Sequence, residues 1–291
     1  MSKPPFLALP DVARAYRLGT ARGEFAVHDA GDGAAGTAVL VPGFTGSKED
    51  FLGLLAPLAS AGFRVLAVDG RGQYETGGPR TEEAYAQPAL ARDVLALAEA
   101  VRGERGRPVH LLGHSLGGQI ARAAVLRDAS PFASLTLLSS GPGAISAAQQ
   151  RRLKLLSGAL PSMTMEQVWQ AMRELDPVEA ADERTPPAVA EFLHRRWLAG
   201  VPEQLLATAR QLCEEPDRVA ELAALRLPLH VLSGEIDYAW PVPLLDDMAV
   251  RLRATRTVVN GAGHSPNAEQ PAETARALAD FWRDAADGAG A

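Results

Sequence analysis

Short apolar runs alternate with longer amphipathic stretches through the first half of the chain. The apolar runs are bounded by Gly or Pro and are typical of buried strands; they lie at Thr37–Val41, Phe63–Val68, Pro108–Leu112 and Leu135–Leu138. The amphipathic stretches predict helices, which begin at the Ser-Lys-Glu-Asp capping box of Ser47, near Pro88 and at the turn of Ser115. Strands this apolar, alternating with helices, predict a mostly parallel central sheet with helices on both faces.

The alternation stops after the fourth apolar run. From about Ala144 to Glu221 the pattern is helical, broken by several prolines, and contains no convincing strand. Strand patterns return at Leu227–Leu232 and Thr255–Val259, and a last amphipathic helix contains Leu278 and Trp282. The predicted organisation is therefore an α/β core of residues 1–143 and 223–291 that carries a helical insert of residues 144–222.

Composition and charge narrow the class of protein. The chain has 291 residues, 47% of them hydrophobic, which is enough to build a core without a metal or a disulfide. The net charge of −6 argues against nucleic acid as a partner, and the pairs Arg151-Arg152 and Arg195-Arg196 are interpreted as solvated surface. With one cysteine, no signal-type leader and no apolar run of about 18 residues, we expect a cytoplasmic protein without a membrane partner. The sequence carries no signal for its oligomeric state.

A glycine-rich turn gives the strongest chemical signal. Gly113-His114-Ser115-Leu116-Gly117-Gly118 directly follows an apolar strand and directly precedes a helix. This context is typical of a nucleophile elbow, in which a strained turn exposes the serine hydroxyl at the carboxyl end of the sheet. Ser115 is therefore the predicted nucleophile.

A serine hydroxyl is a weak nucleophile and needs a base held by a carboxylate. The predicted base is His264, because it follows the last strand at the same end of the sheet as Ser115. The other histidines have structural explanations: two are inside apolar strands, one is in an early strand, one is in the insert and one is within the elbow; they are His110, His230, His28, His194 and His114. Asp237 is the predicted acid, and Glu235 is the alternative.

The reaction also needs backbone donors for a developing oxyanion. The N–H of Leu116 is one predicted donor, since it begins the helix after the elbow. The second is expected from the loop Val41–Ser47, where glycines allow the N–H of Phe44 to point into the site. Thr45 is the weaker candidate for this position.

These residues resemble the α/β-hydrolase superfamily over most of the chain. The resemblance rests on the elbow, on Gly234-Glu235-Ile236-Asp237 and on Gly263-His264, with Asp69-Gly70-Arg71-Gly72 before the elbow. It implies an α/β-hydrolase fold with Ser115, His264 and Asp237 as nucleophile, base and acid. It also implies that the insert of residues 144–222 is a helical lid over the site.

The chain departs from the family pattern at two places. Pro42-Gly43 replaces the His-Gly that many members carry in the oxyanion loop, but a backbone amide is the donor there. Tyr74 stands where glycine is usual and is expected at the pocket mouth. Trp169 and Trp240 are further candidates for lining the pocket.

The predicted function is hydrolysis of a small carboxylic ester or lactone through an acyl-enzyme, with no cofactor and no metal. The Met, Leu and Trp side chains of the insert suit an apolar acyl or alcohol group of a small-molecule substrate. Serine at position 115 excludes the aspartate-nucleophile dehalogenases and epoxide hydrolases. Alternatives on the same triad are a cofactor-free perhydrolase or haloperoxidase-like activity and a C–C bond hydrolase; a ligand receptor without turnover is a third.

Overall fold

The computed structural model describes residues 2–102, 108–175 and 185–288, and these form one eight-stranded sheet. The strands are β1 (Ala13–Thr20), β2 (Gly23–Ala30), β3 (Gly36–Val41), β4 (Phe63–Val68), β5 (Val109–His114), β6 (Phe132–Leu138), β7 (Leu229–Gly234) and β8 (Thr255–Val259). Their order is β1-β2-β4-β3-β5-β6-β7-β8. β1, β2 and β4 pair antiparallel, and all other neighbours pair parallel. The parallel strands therefore end at one common edge of the sheet.

Helices connect and cover these strands. They are α1 (Leu52–Ser60), α2 (Gln87–Arg102), α3 (Leu116–Arg127), α4 (Ala147–Ala159), α5 (Met165–Leu175), α6 (Pro187–Ala199), α7 (Pro202–Glu214), α8 (Val219–Ala223), α9 (Val242–Leu252), α10 (Pro266–Glu269) and α11 (Pro271–Gly288). Short 3-10 helices lie at Lys48–Phe51 and Glu82–Tyr85. Within the described ranges, no helix is both long enough and apolar enough to cross a bilayer. The helices α4 to α7 and all but the last residue of α8 lie in the predicted insert, of which residues 176–184 lie outside the described part of the chain.

The six strands predicted from apolar runs are confirmed, with ends that differ by up to three residues. The mostly parallel sheet with helices on both faces is confirmed as well. Of the two leading strands, the sequence predicts only β2, through His28, and does not predict β1. β1 lies at the sheet edge and is half-exposed along its length, so no apolar run marks it.

The parallel strands are apolar on both sides because each side contacts its own hydrophobic core. In β5, Leu111 packs in one core with residues of α2, α3 and α9. The next residue, Leu112, packs in the other core with residues of α1 and α11. Successive side chains of a strand point to opposite faces of the sheet. A strand that is buried on both faces is therefore apolar at nearly every position. Both cores hold the carboxyl end of β5 in a fixed place.

His230 is buried in β7, as predicted, and so is His110 in β5. Its ring stacks on Trp282 at a centroid distance of 5.3 Å, and its Nδ1 lies 2.8 Å from the Ser134 hydroxyl. Burial lowers the pKa of His110 to about 4. The folded protein therefore favours the neutral ring.

Replacing His110 by glutamine should make folding stability less sensitive to acid. In the wild type, the unfolded chain binds a proton at His110 near pH 6.5, whereas the folded chain does so only near pH 4. The stability that neutral His110 supplies is thus present above pH 6.5 and falls by about 1.4 kcal/mol per pH unit below it. Between pH 7 and pH 5, urea unfolding should show the wild type losing about 2 kcal/mol more than His110→Gln. Equal losses in the two proteins would contradict this assignment.

Buried ion pairs join the insert to the core. Arg122 of α3 donates to Glu215 just after α7 at 2.8 Å, and both side chains are buried. Arg196 of α6 donates to Asp50 at 2.6 Å. The interpretation of Arg195-Arg196 as solvated surface is therefore wrong for Arg196, which is 3% exposed. A sequence pattern cannot reveal this burial, because the partner Asp50 is 146 residues away.

Candidate active site

Ser115 lies in a tight turn between β5 and α3. Its backbone has φ 54° and ψ −119°, which is rare for a residue with a side chain. A Cβ on Gly117 would contact the carbonyl oxygens of Val41 and Pro42, and a Cβ on Gly113 would overlap the Gly117 backbone. Glycines at these two positions therefore let the helix pack tightly on the strands while Ser115 stays at the end of the sheet.

His264 lies against the Ser115 hydroxyl. Its Nε2 is 3.0 Å from Ser115 Oγ, and its Nδ1 is 2.9 Å and 3.0 Å from the two carboxylate oxygens of Asp237. A carboxylate only accepts, so Nδ1–H donates to Asp237 and the lone pair of Nε2 faces the serine. Three residues that are far apart in sequence thus form one hydrogen-bonded chain.

The loop after β7 holds Asp237 in this position. Asp237 Oδ1 accepts the backbone N–H groups of Ala239 and Trp240 at 2.8 Å and 3.0 Å. The alternative acid, Glu235, is exposed and makes no side-chain hydrogen bond to the imidazole in the described contacts. The geometry therefore favours Asp237 over Glu235.

His114 contacts the predicted base in a way that sequence reasoning missed. Its Nε2–H donates to the backbone carbonyl of His264 at 2.9 Å. Burial lowers the pKa of His114 to about 3, so its ring is neutral at working pH. His114 therefore has a role beyond core packing, since its hydrogen bond holds the backbone of His264 in place.

The loop after β3 approaches Ser115 closely. A Cβ on Gly43 would lie 3.3 Å from Ser115 Cβ, and Phe44 and Thr45 line the same cavity as the serine. Gln73 fixes the orientation of this loop, because its Nε2 donates to the Gly43 carbonyl at 2.7 Å. The carbonyl of Gly43 and the N–H of Phe44 belong to one peptide plane and point in opposite directions. The Phe44 N–H therefore points away from Gln73. The role of Gln73 in orienting this loop is a second contact that sequence reasoning missed.

A cavity of about 620 Å³ opens at Ser115 and His264. Much of its wall is apolar and comes from the insert; these residues include Leu153, Leu156, Val168, Trp169, Met172 and Trp197. The charged side chains among its described lining residues are Asp50, Arg152 and Arg173. The site can thus hold a partly apolar small molecule beside the serine.

Trp169 lines the cavity, but the other two aromatic candidates for its wall do not. Trp240 is fully buried, and its indole N–H donates to the Gly143 carbonyl at 2.9 Å. Tyr74 has a positive φ of 38°, its ring packs edge-on against Phe192, and it is not among the residues that line the cavity. The prediction that Tyr74 and Trp240 line the pocket is therefore wrong. In the described ranges, no group of three or more His, Cys, Asp or Glu side chains could hold a metal ion.

Comparisons with known proteins agree with this architecture. A model of the alpha/beta hydrolase family matches residues 38–277. The chain belongs to the alpha/beta hydrolase family. The predicted resemblance is therefore confirmed, and membership supports hydrolase activity for this chain.

Relatives of this hydrolase share most of its length. It is 27% identical over 281 residues to a 2-hydroxy-6-oxononadienedioate/2-hydroxy-6-oxononatrienedioate hydrolase of Paraburkholderia xenovorans, covering 91% of this chain and 93% of the relative. It is 29% identical over 255 residues to a pimeloyl-[acyl-carrier protein] methyl ester esterase of Aeromonas hydrophila, covering 84% and 94%. The solved structure of a thermophilic esterase from Thermogutta terrifontis superposes with a TM-score of 0.75 at 24% identity, covering 94% of this chain and 99% of that one.

Proposed function

We propose that this hydrolase cleaves a small carboxylic ester or lactone with Ser115 as nucleophile, His264 as general base and Asp237 as the orienting acid. The observation that carries the proposal is the 3.0 Å contact between Ser115 Oγ and His264 Nε2 at the wall of the cavity. Nucleophile, base and orienter lie within hydrogen-bond reach in the order that acyl transfer needs.

The proposed reaction has two halves. Ser115 Oγ attacks the substrate carbonyl carbon while His264 Nε2 takes the hydroxyl proton, and Asp237 stabilises the resulting imidazolium. The N–H groups of Phe44 and Leu116 stabilise the oxyanion, each contributing roughly 3 kcal/mol in comparable enzymes. The tetrahedral intermediate collapses to an acyl-enzyme as His264 returns the proton to the leaving oxygen. Water then attacks the acyl carbon by the same proton transfers and releases the acid.

The apolar wall of the cavity supports an apolar acyl or alcohol group. Trp169 and Trp197 lie on this wall, and an ester that buries methylene groups against it gains affinity from each of them. The assignment of the insert as a lid over the site belongs to this proposal, since helices of the insert form much of the cavity wall.

A second candidate is hydrolysis of a C–C bond beside a ketone. Two observations favour it: the Paraburkholderia relative is named for a hydrolase of an oxo-dienedioate, and Arg152 and Arg173 line the cavity, where they suit a substrate that bears a carboxylate. This reaction differs from ester cleavage in its leaving group, which is a carbon stabilised by the rest of the substrate.

A fluorophosphonate probe and a substrate panel test both candidates together. The probe should label wild-type protein at Ser115, because it reacts with a serine activated by a neighbouring base. The panel compares p-nitrophenyl acetate, p-nitrophenyl hexanoate and a γ-lactone with a 2-hydroxy-6-oxo-dienoate. Ester or lactone turnover at least tenfold above dienoate turnover supports the first candidate, and the reverse order supports the second. Labelling that persists in Ser115→Ala would remove both.

A further inference from the structure

A buried ion pair lies beside the proposed oxyanion loop, outside the Ser115–His264–Asp237 chain. Asp50 lines the cavity with no exposed surface, and Arg196 reaches it from α6 of the insert. Arg196 Nη1 donates to Asp50 Oδ1 at 2.6 Å and to Ser47 Oγ at 3.3 Å, and its Nη2 donates to the Ser2 carbonyl at 2.8 Å. A fully buried carboxylate needs such a partner, since removal from water penalises its charge.

Asp50 in turn holds the loop that carries the proposed oxyanion donor. Its Oδ2 accepts the Ser47 N–H at 3.3 Å. A Cβ on Gly46 would lie 2.5 Å from that same Oδ2 and 3.1 Å from the Gly43 backbone nitrogen. The carboxylate is therefore packed against Gly46 and Ser47, and Gly46 in turn donates its N–H to the Gly43 carbonyl at 3.1 Å, which closes the loop around Phe44.

Asp50 also contacts the segment that follows the proposed base. Its backbone carbonyl accepts the side-chain amide of Asn267 at 2.8 Å. Asn267 lies in α10, which begins two residues after His264. One residue thus contacts the oxyanion loop, the insert and the histidine segment.

We propose that Arg196 is a positioning residue, which acts through Asp50 to hold the loop of residues 43–47 so that the Phe44 N–H faces Ser115. The inference rests on the proposed function and adds a link from the insert to the reacting atoms. Its physical basis is that a charged guanidinium, which donates to Asp50 through Nη1, restricts the carboxylate more than a neutral side chain can. Oxyanion stabilisation depends on donors that are fixed before the reaction.

The test compares Arg196→Met and Asp50→Asn with a matched pair elsewhere. Asn has one acceptor oxygen where the carboxylate serves both Arg196 and the Ser47 N–H. Arg122→Met and Glu215→Gln are the controls, because that buried pair also joins the insert to the core, and Glu215 likewise accepts from two donors, Arg122 and Gln87. Each variant is assayed with p-nitrophenyl acetate and with the fluorophosphonate probe.

We expect Arg196→Met and Asp50→Asn to lower kcat and the labelling rate by roughly 10- to 100-fold, with KM changed by less than about 3-fold. The double variant Arg196→Met/Asp50→Asn should lose no more kcat than the worse single variant, since the two substitutions break the same contact. Arg122→Met and Glu215→Gln should change thermal stability without this loss of kcat. Arg196→Lys, which keeps the charge, should recover part of the activity.

Two results would overturn the inference: unchanged kcat and labelling in Asp50→Asn, or an equal loss in Glu215→Gln. Should Arg196→Met fail to fold, Asp50→Asn and Arg196→Lys still decide the question. Failure of the proposed function looks different, because Ser115→Ala would then hydrolyse ester and react with the probe like the wild type.

Discussion

Replacing Ser115 by alanine should lower kcat for p-nitrophenyl acetate by about 10⁴- to 10⁶-fold, which is the range seen when a serine nucleophile is removed. The reason is that the acyl-enzyme forms through Ser115 Oγ, which lies 3.0 Å from His264 Nε2. Without this oxygen, only the oxyanion donors and substrate binding remain to accelerate attack by water. The measurement is steady-state kinetics, with mass spectrometry to show that the fluorophosphonate adduct is lost.

The matched control for this prediction is Ser130→Ala. Ser130 is an exposed serine in the turn before β6, at the opposite end of the sheet from Ser115. This variant should keep wild-type kcat and labelling. Thermal unfolding of Ser115→Ala should stay close to that of the wild type, because the change removes one oxygen from a turn set by its glycines. A Ser115→Ala protein with more than a tenth of wild-type activity would exclude the nucleophile assignment.

Replacing Asp237 by asparagine should lower kcat by about 10⁴-fold, as in other enzymes whose orienting carboxylate is made neutral. Asp237 accepts the Nδ1–H of His264 at 2.9 Å, and this bond leaves the Nε2 lone pair for the serine. An amide can donate to Nδ1 instead, which favours the tautomer with its proton on Nε2. That proton would then face the hydroxyl that the ring has to deprotonate.

Glu235→Gln separates this role from a general effect of charge. Glu235 is two residues away on the same loop, but its side chain is exposed. Its neutralisation should leave kcat unchanged, while Asp237→Asn is nearly inactive at the same pH. A large loss in Glu235→Gln together with a small loss in Asp237→Asn would reverse the assignment of the acid.

The sequence predicts those parts of the site that depend on local pattern. The elbow of Ser115 is one uninterrupted segment. Its glycines, the apolar strand before it and the helix after it together predict the turn. The sequence predicts His264 and Asp237 because they directly follow late strands, and parallel strands share one edge where such loops meet. The hydrogen bond between His264 and Asp237 itself is seen only in the folded structure.

The contacts that sequence reasoning missed join residues with no local signal. Gln73 reaches the Gly43 carbonyl from the loop after β4, and Arg196 reaches Asp50 from the insert. Each is an ordinary polar residue in its own segment, and its role appears only when the chain is folded. The prediction for Tyr74 is wrong for a related reason, since its ring packs against Phe192 of α6, a residue far away in the sequence.

The two buried ion pairs between the insert and the core have a consequence for engineering substrate range. Domain shuffling of residues 144–222 between members of this family would import new cavity walls, but it would leave Asp50 and Arg122 behind in the recipient. A donor segment without counterparts of Arg196 and Glu215 would leave the charges of Asp50 and Arg122 buried without an ion-pair partner. Chimeras should therefore exchange each charge together with its partner across the junction.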